Sequence, residues 1–355
     1  MKLAIYTISL NEEQFLDRWY ESAKSADFLL IADTGSTDNT VCRAKALGIN
    51  VLEISVKPWR FDDARNASLA ALPKDIDMCI QLDMDEVLVG NWRKDIERLW
   101  KKGNNRITYR YVSSWKEGKT GEEADIEFDG FKCHSRIGYR WKYPIHEVVC
   151  PYKIPEIKAH STKFEIHHYP DNTKSRESYL TMLEDAVEED PIPRHLYYLG
   201  REYYYKNRDK ESAEYLKRYI KVSEFPAEKA SALRVLAKVE PDNAEEWLTQ
   251  GTEAYPSRES ILALANYYYD KKMWAECLVV GEKALSTTHR EKGFLSEAWA
   301  WGYMGYDITA LAAWSLEEYD VAYALGKKAL ELDPTNERLQ NNLKFYQEKV
   351  NEHTK

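Results

Sequence analysis

Residues 79–88 read Cys79-Ile80-Gln81-Leu82-Asp83-Met84-Asp85-Glu86-Val87-Leu88. The apolar run before Asp83 is typical of a buried strand, and three carboxylates follow it within four residues. Alternate side chains of an extended chain face the same way, so Asp83 and Asp85 are expected to point together. Two oxygen ligands at the end of a parallel strand suit a divalent cation that neutralises a diphosphate. A solvated acidic turn explains the same residues equally well, so the neighbouring segments decide.

Length and composition limit the classes of protein to which the chain can belong. Its 355 residues predict two domains, and the net charge of −9 disfavours a nonspecific nucleic-acid-binding protein. There is no apolar run of membrane-spanning length and the first residues begin a strand, so a cytoplasmic protein is expected. The five cysteines form no Cys-x-x-Cys pair, which disfavours a zinc cage and predicts reduced thiols.

The first half alternates strand and helix patterns, which predicts an α/β fold with ligands at the carboxyl edge of the sheet. The first turn lacks the G-x-G-x-x-G pattern, which disfavours a nicotinamide-dependent enzyme. The predicted strands cover residues 3–9, 28–32, 51–54 and 76–82, and the predicted helices cover residues 12–23, 40–47 and 92–100.

Three further residues of this half are candidates for binding a nucleotide. Asp33 ends the second strand and begins Asp33-Thr34-Gly35-Ser36-Thr37-Asp38, which is either a well-capped loop or a ligand site. Arg65 and Asn66 lie on one helical turn, where they are either a surface pair or contacts for phosphates and base edges.

Four motifs in this order and spacing resemble those of family 2 glycosyltransferases of GT-A fold. A run of four is far more specific than any one of them. The motifs are Thr7-Ile8-Ser9-Leu10-Asn11-Glu12, Asp33-Thr34-Gly35-Ser36-Thr37-Asp38, Phe61-x-x-Ala64-Arg65-Asn66 and Leu82-Asp83-Met84-Asp85-Glu86.

The resemblance implies roles for the motif residues. It implies that Thr7 and Asp33 hold the base of a sugar nucleotide, although many members carry two consecutive aspartates at the position of Asp33-Thr34. Arg65 corresponds to the arginine of the family's A-R-N motif. Asp83 and Asp85 correspond to the D-x-D carboxylates, which hold Mn²⁺ or Mg²⁺ on the diphosphate of a donor, most often a UDP-sugar.

Two later segments add a candidate base and a third metal ligand. Aromatic and basic residues alternate before His146-Glu147, and Glu147 either deprotonates an acceptor or forms an incidental ion pair at the end of a hairpin. A W-x-x-x-I-H-E-like element in similar enzymes with helical repeats favours the base. Such enzymes also supply a late histidine to the metal, for which His168 is favoured over His167. The charged residues 115–129 are expected to form a loop near the acceptor.

The second half shows helical periodicity and an internal repeat. Ala213, Ala244 and Cys277 are spaced near the tetratricopeptide period of about 34 residues, and Ala322 follows after a longer step. Paired helices with small residues at their crossings stack into a solenoid. We therefore expect a GT-A, Rossmann-like nucleotide-sugar-binding domain over residues 1–172 and an all-α, TPR-like domain over 173–355, which recognises an acceptor or forms a homodimer.

These features predict a metal-dependent, inverting hexosyltransferase that moves a sugar from a nucleotide-diphosphate sugar to an acceptor hydroxyl or thiol. The acceptor can be a peptide, a glycan or a modified nucleobase. A non-catalytic TPR-type scaffold with a degenerate sugar-nucleotide domain is the alternative. A nucleotidyltransferase also uses paired carboxylates and Mg²⁺, but the turn after the first strand lacks the Gly-rich basic loop usual in that class.

Overall fold

A computed structural model describes residues 1–171 and 177–353. The chain forms two compact units, Met1–Ala186 and Val187–Lys355. The domain boundary expected between residues 172 and 173 lies outside the described residues.

The first unit is built on a mixed sheet of eight strands with a separate two-stranded ribbon. Its strands are β1 Leu3–Ser9, β2 Phe28–Asp33, β3 Asn50–Glu53, β4 Met78–Gln81, β5 Glu86–Gly90, β6 Arg106–Trp115, β7 Ala124–Ser135, β8 Tyr139–Lys142, β9 Val148–Pro151 and β10 Lys158–His168. The strand order of the main sheet is β3-β2-β1-β4-β7-β6-β10-β5, and β8 pairs with β9.

Parallel pairing brings the ends of three early strands to one edge. β1 pairs in parallel with both β2 and β4, so Ser9, Asp33 and Gln81 end at the same edge of the sheet. Side chains of β1 are buried on both faces because helices cover the sheet. The helices of this unit before residue 171 are α1 Leu16–Ala23, α2 Thr40–Ala46, α3 Phe61–Ala71 and α4 Trp92–Trp100.

The prediction of a loop over residues 115–129 is wrong at both ends of that segment, and only residues 116–123 connect the two strands. β6 extends to Trp115 and β7 begins at Ala124, and the two strands pair in antiparallel fashion. The strand was missed because most side chains in the first half of β7 are only partly buried and include three acids, so no apolar alternation marks it.

The second unit is helical in its described part. Ala213, Ala244, Cys277 and Ala322 are all buried and lie near the starts of alternate helices. The longer step before Ala322 accommodates an additional segment with a short helical turn at Ala298–Trp301.

No helix in the two described ranges has the length and apolarity needed to cross a membrane. The remaining helices are α5 Ser178–Glu189, which spans the unit boundary, α6 Pro193–Tyr205, α7 Asp209–Val222, α8 Pro226–Val239, α9 Ala244–Ala254, α10 Arg258–Asp270, α11 Trp274–Leu285, α12 Met304–Ser315, α13 Tyr319–Leu332 and α14 Glu337–His353.

Candidate active site

A tight turn follows β4 at the carboxyl edge of the sheet. The backbone N–H of Glu86 donates to the carbonyl of Asp83 at 2.9 Å, and the N–H of Asp83 donates to Glu86 Oε2 at 2.9 Å. The expectation that Asp83 and Asp85 alternate along an extended chain is therefore wrong, because the strand ends at Gln81. Instead, the two carboxylates have different partners.

Asp83 accepts hydrogen bonds from three side chains. Its Oδ1 accepts from Arg65 Nη1 at 2.9 Å and from Gln81 Nε2 at 2.7 Å, and its Oδ2 accepts from Lys132 Nζ at 2.7 Å. Burial by itself raises the pKa of Asp83, but the charges of Arg65 and Lys132 hold that pKa well below its usual range. Asp83 is thus an ionised acid whose oxygens are both engaged by donors of the protein itself.

Lys132 on β7 is a member of the site that the sequence analysis missed. Its Nζ also lies 2.6 Å from Glu86 Oε1, which accepts a further bond from the Tyr111 hydroxyl at 2.8 Å. Burial lowers the pKa of Lys132, but Asp83 and Glu86 raise it above its ordinary value. The local sequence carries no signal for this contact, since it arises from the antiparallel pairing of β4 with β7.

Arg65 joins the end of β4 to the predicted base. It lies on α3 with 6% exposure, and its Nε is 2.5 Å from Glu147 Oε1. Burial lowers the pKa of Arg65, and the two adjacent carboxylates of Asp83 and Glu147 raise it more. The guanidinium also stacks near Trp141, with Cζ 5.0 Å from the ring centroid. Within the described residues, no hydrogen bond reaches the other oxygen of Glu147.

Asn66 pairs with the backbone of Trp141. Its Nδ2 donates to the carbonyl of Trp141 at 3.0 Å, and the N–H of Trp141 donates to Asn66 Oδ1 at 2.9 Å. This pairing fixes α3 against β8 and thereby fixes Arg65 near Glu147. In this structure the carboxamide uses one N–H and its oxygen to position other site residues.

Asp85 faces His168, the last residue of β10. Asp85 Oδ2 lies 3.3 Å from His168 Nε2, while Nδ1 lies 3.0 Å from the carbonyl of Ser113. A carbonyl only accepts, so Nδ1 carries a proton, and a neutral ring would direct the Nε2 lone pair at a carboxylate. Burial lowers the pKa of His168, but the hydrogen bond to Asp85 acts in the opposite direction, and the net result is a pKa above the ordinary value. Either a proton or a shared metal cation satisfies the two facing acceptors.

His167 points to the other face of the sheet, as expected for the neighbouring residue of a strand. Its Nε2 lies 2.8 Å from Glu165 Oε2, and its ring packs edge-on against Trp115. The structure thus places His168, and not His167, against Asp85. Among residues 1–171 and 177–353, no three His, Cys, Asp or Glu side chains are grouped to hold a metal ion. Asp85 and His168 could supply two ligands, with the others coming from a substrate or water.

Asp33 and Thr7 are both buried and bonded to the chain itself. Asp33 Oδ1 accepts from the hydroxyls of Ser9 and Ser36, and Oδ2 accepts from two backbone N–H groups of the following turn. Burial raises the pKa of Asp33, and the hydrogen bonds from Ser36 and the turn lower it below its ordinary value. The hydroxyl of Thr7 donates to the carbonyl of Ile8 at 3.1 Å. These two residues shape the edge of the sheet in this structure.

No protein-family model matches the chain. A protein of Rickettsia bellii (strain RML369-C) named "Uncharacterized glycosyltransferase" is 31% identical over 104 residues, which are 29% of this chain. The chain spans about a third of that relative's length, 34%.

Solved structures of three other proteins each align with about half of this chain. YrrB, described as a TPR protein with an unusual peptide-binding site, is 15% identical with a TM-score of 0.37, over 47% of this chain and 83% of its own. One MamA structure is 19% identical with a TM-score of 0.37, over 47% of this chain and 96% of its own. PilF of Pseudomonas aeruginosa is 15% identical with a TM-score of 0.37, over 48% of this chain and 72% of its own.

Proposed function

We propose that the first unit is an inverting glycosyltransferase of GT-A type that uses a nucleotide-diphosphate sugar, with UDP-sugars as the first donors to test. The contact of Arg65 with both Asp83 and Glu147 carries this proposal. It joins the A-R-N arginine, the first D-x-D acid and the I-H-E glutamate, which are far apart in sequence, into one cluster at the edge where open α/β sheets bind ligands. The partial relative named a glycosyltransferase supports the same class of reaction.

Glu147 is the proposed general base. Arg65 binds one of its oxygens and orients the carboxylate, while the other oxygen receives the proton of an acceptor hydroxyl or thiol. The acceptor oxygen or sulfur forms a bond to the anomeric carbon as the bond from that carbon to the diphosphate breaks. The electron pair leaves with the nucleotide diphosphate, and attack from the opposite face inverts the anomeric centre.

Asp85 and His168 are the proposed ligands of Mn²⁺ or Mg²⁺. Two facing acceptors at the edge of the sheet fit a divalent cation, whereas both oxygens of Asp83 already accept bonds from cationic side chains. When bound, the metal would neutralise charge on the departing diphosphate. Asp83 is instead proposed to hold Arg65 and Lys132 in position. Asp33 is proposed to support the donor site through the turn that it organises.

The helical unit is proposed to recognise the acceptor or to form a homodimer. We propose a TPR-like arrangement because the buried small residues recur on alternate helices. A chain ending near Asp171 that retains transfer to the acceptor and the native oligomeric state would contradict both roles.

A donor-binding screen tests the proposed function. The melting temperature of the full chain is measured with UDP-, GDP-, ADP- and dTDP-sugars, with and without Mn²⁺. At about 100 times its dissociation constant, a donor should stabilise the protein by about 2.7 kcal/mol, and Mn²⁺ should increase the effect. If no sugar nucleotide shifts the melting temperature, the scaffold alternative is favoured. Stabilisation by nucleoside triphosphates alone would favour a nucleotidyltransferase.

A further inference from the structure

The ammonium group of Lys132 lies between two carboxylates at the edge of the sheet. Its Nζ is 2.7 Å from Asp83 Oδ2 and 2.6 Å from Glu86 Oε1. Glu86 is 1% exposed, whereas the side chain of Asp83 is 26% exposed and can be reached from solvent. A cation that bridges two carboxylates at such distances takes the place that a divalent ion would otherwise occupy.

The remaining oxygens of these two acids are also engaged. Asp83 Oδ1 accepts from Arg65 and Gln81, and Glu86 Oε2 accepts from the backbone N–H of Asp83. Asp83 and Glu86 share the two cations Arg65 and Lys132, and Arg65 also pairs with a third acid, Glu147. Asp85 lies outside this set, since its side-chain partner is His168.

We propose that Lys132 is a specificity-determining residue that excludes divalent cations from Asp83 and Glu86 and so confines metal binding to Asp85 and His168. The inference rests on the metal-binding role proposed above for Asp85 and His168. The ammonium group of Lys132 donates a hydrogen bond to each carboxylate and needs no further ligands. A divalent ion would have to displace it before binding there. With only two protein ligands left, the affinity of the free protein for metal is low and depends on the diphosphate oxygens of the donor.

The substitution Lys132→Met tests this proposal with Mn²⁺ alone. Loss of the ammonium leaves Asp83 and Glu86 without a bridging cation, a state that favours uptake of a metal ion. Titration of the full chain with Mn²⁺, followed by the electron paramagnetic resonance signal of the free ion, should show at least tenfold tighter binding than in the wild type, or one additional bound ion. Lys132→Arg keeps a cation in place and should bind Mn²⁺ as the wild type does.

Three further variants keep the test decisive. The double variant K132M/E86Q should lose the gain in affinity because one of the two freed carboxylates is gone. If K132M does not fold without metal, Mn²⁺ should restore its thermal transition. Equal Mn²⁺ affinity of folded K132M and the wild type would overturn the proposal, as would failure of Mn²⁺ to restore unfolded K132M. The proposal would also be overturned if D83N lowered Mn²⁺ affinity relative to the wild type by as much as D85N does. Because no sugar nucleotide is present, these results are independent of whether the chain is a glycosyltransferase.

Discussion

Arg65 Nη1 lies 2.9 Å from Asp83 Oδ1, so a buried guanidinium on a helix is paired with the acid that follows the central strand. The same guanidinium reaches Glu147 through Nε. One arginine therefore fixes the relative position of the strand end and the proposed base.

Replacing Arg65 with Met should destabilise the protein by about 2–4 kcal/mol. Asp83 and Glu147 would lose the cation that they share. The expected loss in the free energy of unfolding is somewhat smaller than for a fully buried ion pair, because both carboxylates are partly exposed. Urea unfolding measures the effect. Arg43→Met is the matched control, since Arg43 pairs with Asp17, which is 71% exposed, and should change stability by at most about 1 kcal/mol. Equal effects of the two substitutions would contradict the assigned role of Arg65.

Asn66→Ala should lower the free energy of unfolding by about 1–3 kcal/mol, because two hydrogen bonds to the backbone of Trp141 are lost. It should also reduce kcat, since α3 would no longer be fixed against β8. Asn39→Ala removes an exposed amide from a contact with Glu13 and serves as the control. A variant of Asn66 with unchanged stability but lost donor binding would instead support direct contact with the nucleotide.

Glu147→Gln should lower kcat by about 10²- to 10⁴-fold, because the amide cannot take up the acceptor's proton. Donor binding, measured by calorimetry, should change little, since Gln can still accept the bond from Arg65. Glu165→Gln, on β10 and paired with His167, should leave turnover near that of the wild type. Near-normal turnover of the Glu147 variant would exclude it as the base.

His134 should make stability depend on pH. Burial lowers its pKa from 6.5 to about 3, and a hydrogen bond to the backbone of Ser135 acts in the opposite direction. Between these two pH values, the ring is neutral in the folded protein but takes up a proton in the unfolded chain. Stability is therefore lost as the pH falls from about 6.5 towards 3, by up to about 1.4 kcal/mol per pH unit.

His134→Gln keeps an acceptor for the hydroxyl of Tyr6 but does not titrate. Its free energy of unfolding, measured by urea titration between about pH 6.5 and pH 4.5, should fall less steeply than that of the wild type. Parallel curves for the two proteins would contradict a neutral buried imidazole.

The sequence was sufficient to predict β1 to β4, whose carboxyl ends lie at one edge of the sheet. The predicted strand over residues 3–9 and the helix over 92–100 coincide with β1 and α4, because apolar periodicity marks both. The first half of β7 has no such pattern, and its pairing with β6 depends on contacts between distant residues. Patterns within a short window cannot reveal strands that are stabilised mainly by their partners.

The candidate site was predicted in part for the same reason. Strand order places Asp83 at the carboxyl edge, which a parallel α/β pattern implies. The partner of Asp83 on β7, Lys132, follows from the register that pairs Ile80 with Cys133, and no local rule gives that register. The buried hydrogen bonds of Asp33 likewise depend on the actual path of the turn and could not be distinguished from ligand contacts in advance.

A crystal of the full chain soaked with Mn²⁺ and UDP or GDP tests the central claim most directly. We expect an anomalous scattering peak between Asp85 Oδ2 and His168 Nε2, with diphosphate oxygens completing the coordination and Lys132 still bridging Asp83 and Glu86. A bound nucleotide diphosphate elsewhere on the molecule, or no manganese at Asp85 and His168 under saturating nucleotide, would contradict the account.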